Sequence, residues 1–157
     1  MNKLVVAPAV VLFVICMVCR AFSADLPDAK LTPGKPDPTL TTERLCAKGF
    51  STKTVRNVTI ETRVAAFGGY GIVCKNRTPT CAKEFELDHL VSLELGGSND
   101  VLNLWPEAHA GQWGARVKDQ LENKLHALVC AGTITLDEAQ KGIATDWISL
   151  YKKWMPQ

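Results

Sequence analysis

Apolar and polar positions divide the chain into blocks with distinct periods. Leu4 to Val18 is apolar except at Pro8. Asp25 to Thr41 is rich in Pro, Asp and Thr and poor in apolar residues, so it reads as a flexible linker, 25–41. Thr42 to Lys48 suits a short helix ending at Gly49, and Ser51 to Asn57 reads as a polar, basic loop. Thr59 is placed to cap a helix over Ile60 to Phe67, with Gly68-Gly69 ending it. Two short runs, Glu84 to Leu87 and Leu102 to Trp105, read as partner strands. Gly96-Gly97 and Ser98-Asn99-Asp100 punctuate their connection, and Pro106 is expected to stop the second strand. Residues 107–114, with Gly111 and Gly114, read as a loop.

Helical spacing dominates the C-terminal part. Val117, Leu121, Leu125 and Leu128 make one apolar face of a helix over Ala115 to Val129, with Lys118 and Glu122 as an i,i+4 pair on its flank and Gly132 at its C-cap. Thr135 and Glu138 form a Thr-x-x-Glu capping box for a last helix from about Leu136 to Lys153. Ala139, Ile143, Trp147, Leu150 and Trp154 fall on one face of it. The pattern predicts an α+β domain with the order strand, strand, helix, packing helix.

The first block is a targeting segment. Lys3 supplies a short positive region, the apolar run follows, and Ala21 to Ala24 offers small residues for cleavage, which defines a signal peptide over 1–24. The run is short for a membrane span, so no stable membrane insertion is expected after cleavage, and a periplasmic or secreted location follows. Cleavage leaves Cys46, Cys74, Cys81 and Cys130, an even count that reads as two disulfides. Of the three pairings, Cys74 with Cys81 closes a turn-rich loop and leaves Cys46 with Cys130, a long loop whose closure contributes about 4 kcal/mol in the chain-entropy model. The spacing lacks a Cys-x-x-Cys pair, which argues against structural zinc at the cysteines.

The formal net charge of +2 comes from that leader, because removing Lys3 and Arg20 leaves 16 basic and 16 acidic residues. Their distribution is uneven. Arg44 to Lys83 carries eight basic residues against only Glu61, whereas Glu84 to Asp146 carries eleven acids against four basic residues. This suits a wall that holds phosphate beside a site that holds a cation, or else two solvated faces. Arg56, Arg63 and Arg77 are candidates for binding the polyanion. Arg116 and Lys118 are candidates for phosphate contact at a helix start, where backbone N–H groups also favour anions. Trp105 and Trp113 are read as core residues before base-stacking ones, and His126, Trp147 and Trp154 as structural.

Asp88 and His89 are adjacent on the first strand, so a regular strand sends their side chains to opposite faces. Both reach one site only where the strand ends or bends. The stretch Asp88-His89-Leu90 … Leu93-Glu94-Leu95-Gly96-Gly97 … Asn103-Leu104-Trp105-Pro106 resembles the HNH endonuclease family in its variety written D-H-L-x-x-L-E-L-G-G…N-L-W-P. The likeness covers about Cys46 to Trp154 and implies a ββα-metal (HNH/His-Me finger) core with additional packing helices, here stapled by disulfides, in a domain spanning 42–157. It implies a metal-dependent hydrolase of phosphodiester bonds acting on nucleic acid, DNA in the first instance. His89 is then the general base, Asp88 a metal ligand, and Asn103 the residue that clamps the loop after the first strand and orients the histidine.

The family's last His or Asn falls near Gln112, so this chain departs from the pattern there. Asp119 and Glu122, three apart on a helix, are the first substitutes as metal ligands, and His109 the second. Oxygen donors suit Mg²⁺ ahead of Mn²⁺ or Zn²⁺. The departure also sustains an alternative, a catalytically inactive, disulfide-stabilised nucleic-acid-binding module of the same fold. Glu94 has no chemical role that follows from the sequence, and the oligomeric state is not encoded in these patterns.

Overall fold

The two predicted strands pair. A computed structural model describes residues 25–74 and 83–155. In it β1 (Phe85–His89) and β2 (Leu104–Ala108) form a two-stranded antiparallel sheet. Helices α1 (Thr42–Leu45) and α2 (Ile60–Gly69) precede the sheet, and α3 (Ala115–Cys130) and α4 (Leu136–Trp154) follow it, so the fold is α+β. No helix among the described residues is long and apolar enough to cross a membrane. The leader 1–24 lies outside the described residues.

β2 runs through Pro106 rather than stopping there. The ladder explains why. Asn103 O accepts from Leu90 N, and His109 N donates to Glu84 O. Odd-numbered residues of β2 therefore face β1, and Pro106 turns its missing N–H to the free edge, where no bond is lost. Leu102, expected in the strand, belongs instead to a 3₁₀ turn over Val101–Asn103. β1 extends two residues past its expected end, so His89 closes the strand, opposite Leu104.

Side-chain caps set the helix starts. Thr59 Oγ1 accepts from Thr62 N at 3.1 Å, and Thr135 with Glu138 forms the reciprocal capping box. α2 continues through Gly68-Gly69 and hands over to Tyr70 at its C-cap, beyond the expected end at Phe67. Gly132 follows the α3 cap with φ +70°, a left-handed conformation that costs glycine little. α4 is kinked at Asp146, whose carboxylate accepts from Ser149 N and Ser149 Oγ and so re-caps the second half.

Leu121, Leu125 and Val129 of α3 pack against Ile143 and Trp147 of α4 and Trp105 of the sheet. Trp113 stands edge-on to Trp147 and Tyr151, centroids 5.9 and 5.7 Å away, so both Trp105 and Trp113 serve packing. The buried stripe of α3 also contains Lys118 and Glu122, which the sequence reading placed on its flank.

The segment 25–41 is strapped to the domain, which corrects its reading as a flexible linker. Trp147 Nε1 donates to Asp25 O, buried Thr32 donates to Leu104 O, and Pro36 bridges Gly97. Leu40 adds an apolar anchor. Sparse hydrophobicity hid this, because the strap holds mainly through backbone groups, which composition does not report.

Cys46 and Cys130 form a disulfide across a sequence separation of 84, tying the end of α1 to the end of α3. Cys74 is disulfide-bonded as well. Its expected partner Cys81 lies outside the described residues, as does Arg77.

Gly97 is required by close approach. A Cβ there would lie 1.7 Å from Val91 O and 2.8 Å from Asn103 Nδ2. Gly97→Ala must push these groups apart, and we expect a loss of about 1–3 kcal/mol or more, read from the urea midpoint. A variant as stable as the parent would show that this turn yields freely.

Candidate functional site

A cleft of about 450 Å³ opens where β1 ends, lined among others by Arg56, Arg63, Asp88, His89, Glu94 and Asp119. Adjacent Asp88 and His89 belong to opposite faces of β1, yet both border this space, because the cleft takes in residues of both faces where the strand ends.

Asn103 makes that termination possible. It is fully buried and satisfies all four of its amide positions. Its Oδ1 accepts from Val91 N at 2.9 Å and Lys35 N at 3.2 Å, and its Nδ2 donates to Val91 O and Ser98 O, both at 2.9 Å. One side chain thus replaces the ladder just beyond β1, joining the strand exit to the Ser98 turn and the N-terminal strap.

Asn99 fixes the histidine ring. Its Nδ2 donates to Val55 O at 2.8 Å and its Oδ1 accepts from Asn57 N at 3.0 Å, which settles the orientation of the amide. The same Oδ1 lies 3.2 Å from His89 Nε2. An amide oxygen can only accept, so Nε2 carries the proton and Nδ1 keeps the lone pair. Asn99 also grips the backbone on both sides of Arg56 and so holds that guanidinium's loop at the cleft. Burial lowers the His89 pKa below the usual imidazole value, Asp88 and the Asn99 bond oppose this, and Arg56 and Lys118 push it down further. The ring is neutral at neutral pH. Arg63 loses proton affinity through burial and the nearby Arg56 charge.

The acidic side of the cleft is built on the other face of the sheet. Glu86 and Asp88 are two apart on β1, and Glu107 is paired opposite Glu86 on β2. A carboxylate oxygen from each lies within 4.8 Å of the others. Behind them sits Lys118, fully buried. Its Nζ donates to Asp88 Oδ2 at 2.6 Å, to His89 O at 3.0 Å and to Glu122 Oε1. Burial opposes the ammonium charge, but Asp88, Glu122 and Glu107 outweigh it and raise the Lys118 pKa. Burial, then the Asp88 charge, pushes Glu107 well above the carboxylate range. Burial raises Glu122 also, against the pull of Lys118. Glu86 and Asp119 rise too, through burial and then Asp88.

Most predicted site residues converge. Asp88, His89, His109, Asp119, Glu122, Arg56 and Arg63 all border the cleft, and Asn103 lies beneath it. One expectation is corrected, and the other candidates are placed. Lys118 makes no phosphate contact, because its position three residues before Leu121 turns it inward and its three N–H groups are spent on protein acceptors. Arg116 is exposed on the first turn of α3 and does not border the cleft. Among the described residues, no convergent group of three joins Asp88 to Asp119, Glu122 or His109. Glu122 is held by Lys118, and His109 Nδ1 sits 3.2 Å from Glu86.

Sequence reasoning missed Asn99, Glu86 and Glu107. Glu86-x-Asp88 carries a signal in its strand spacing, whereas Glu107 reads from the sequence as a loop residue after Pro106. A second convergent group, Cys46, His126 and Cys130, has its thiols oxidised and offers no thiolate. The donors around Asp88 are all carboxylates, one of them with a buried oxygen, Glu107 Oε1, that has no hydrogen-bond partner. Such a set fits a hard cation, Mg²⁺ or Mn²⁺, better than Zn²⁺. No family model, curated protein or solved structure matches the chain.

Proposed function

We propose that this is an exported, metal-dependent endonuclease of the HNH type, with a ββα-metal core made of β1, β2 and α3. One observation carries the reading. A neutral, tautomer-fixed histidine shares a cleft with an acidic cluster on one side and two arginines on the other. The order of elements and the D-H…N-L-W-P motif support the same assignment.

In this mechanism Arg56 and Arg63 hold the phosphate of a nucleic acid at the cleft mouth. His89 Nδ1 takes a proton from the attacking water as the new P–O bond forms, and the bond to the leaving oxygen breaks. Asn99 keeps Nδ1 unprotonated, and Asn103 holds the strand end so that the ring does not swing away. Asp88 contributes to holding a divalent cation. The cation, when bound, supplies positive charge for the phosphate and the departing oxygen. The disulfide and the leader agree with a periplasmic or secreted enzyme. Incubating the oxidised mature protein with plasmid DNA and with RNA, in Mg²⁺, Mn²⁺ or EDTA, tests the reading. Metal-dependent nicking supports it, and intact substrates under every metal overturn it.

A further inference from the structure

We infer that the cation site is the carboxylate triad Glu86, Asp88 and Glu107, rather than Asp88 with a ligand from α3. The triad spans both strands, Glu86 and Glu107 being register partners, so the sheet itself sets the spacing. A carboxylate oxygen from each lies within 4.8 Å of the others, a spread that an ion with bonds of about 2.4–2.6 Å bridges as it stands and that a smaller ion, with bonds of about 2.0–2.1 Å, bridges once the side chains draw in by about half an ångström.

A second observation marks the cluster as a ligand site. Glu107 is 2 % exposed, and its Oε1 is buried without a hydrogen-bond partner. A buried acceptor left unmade is costly, so it calls for a partner that is not a protein group. Lys118, whose charge acts on Glu107, cannot serve, since its three N–H groups already go to Asp88, His89 O and Glu122. Lys118 in turn holds Glu122 and one oxygen of Asp88, which removes Glu122 as a ligand and leaves the other Asp88 oxygen free. Glu86 is half-exposed and borders the cleft, giving an ion its route from solvent.

This deepens the endonuclease reading and rests on it for what the ion does, but the test reads binding and not cleavage. The oxidised mature protein is titrated with Mn²⁺ alone, followed by calorimetry and by loss of the free Mn²⁺ resonance signal. Wild type is expected to bind one Mn²⁺. Glu86→Gln and Glu107→Gln, which keep shape and remove charge, should each weaken binding at least about 10-fold. Asp119→Asn and His89→Ala should bind as wild type does. Glu86→Gln decides the matter if Glu107→Gln does not fold, because Glu86 is half-exposed and outside the core. The inference is overturned by absence of Mn²⁺ binding to wild type, by Glu86→Gln binding with wild-type affinity, or by Asp119→Asn being the variant that loses it. A triad that binds Mn²⁺ in a protein that cleaves nothing would retain this site and reject the nuclease.

Discussion

His89→Ala is expected to lower the rate of phosphodiester cleavage by about 10²- to 10⁴-fold, the usual contribution of a positioned general base. Affinity for nucleic acid should change little, because in the proposed mechanism Arg56 and Arg63 hold the phosphate, and since the ring is 2 % exposed the urea midpoint of the variant separates lost stability from lost chemistry. The pH profile supplies an independent check. The base works only when neutral, so activity falls as pH drops through the His89 pKa. Burial holds that pKa below the ordinary value of about 6.5, so the acid limb of kcat/KM should lie on the acid side of it. An acid limb in the neutral or alkaline range would assign the base to another group.

Lys118→Met should destabilise the protein by about 3–5 kcal/mol, the typical cost of removing one partner from a buried ion pair. The methionine fills the space but leaves Asp88, Glu122 and His89 O without their donor. Against a total stability of about 5–15 kcal/mol, this change is large enough to unfold a marginal domain. Urea midpoints measure it. Adding Glu122→Gln should recover part of the loss, because one of the stranded charges is then gone, and the two changes will not be additive. A Lys118→Met protein with the parental midpoint would mean that these acids are neutralised without the ammonium.

Elements with strong local signals were legible in the sequence. Thr59 and the Thr135–Glu138 box start their helices as expected, and the apolar face of α3 is buried from Leu121 to Val129. The pairing of Cys46 with Cys130 followed from counting cysteines and finding a short loop for the other two. What escaped depends on long-range geometry. Lys118 reads as a surface cation until three carboxylates and a carbonyl surround it. Glu107 reads as a loop residue until the edge position of Pro106 lets β2 continue past it. Asn99 looks like turn punctuation, yet it joins the 51–57 loop to His89 across 42 and 10 residues of sequence. Hydrogen bonds of this kind have no periodicity, so no window along the chain reports them.

In the proposed function His89 is the base of a cation-dependent hydrolysis. Wild type and His89→Ala, both oxidised and mature, compared on plasmid DNA and RNA in Mg²⁺, in Mn²⁺ and in EDTA, test it most directly. Wild type should nick with metal and stop with EDTA, and His89→Ala should be nearly inert in every buffer. Equal cleavage by the two proteins, or cleavage by wild type that persists in EDTA, would contradict the account.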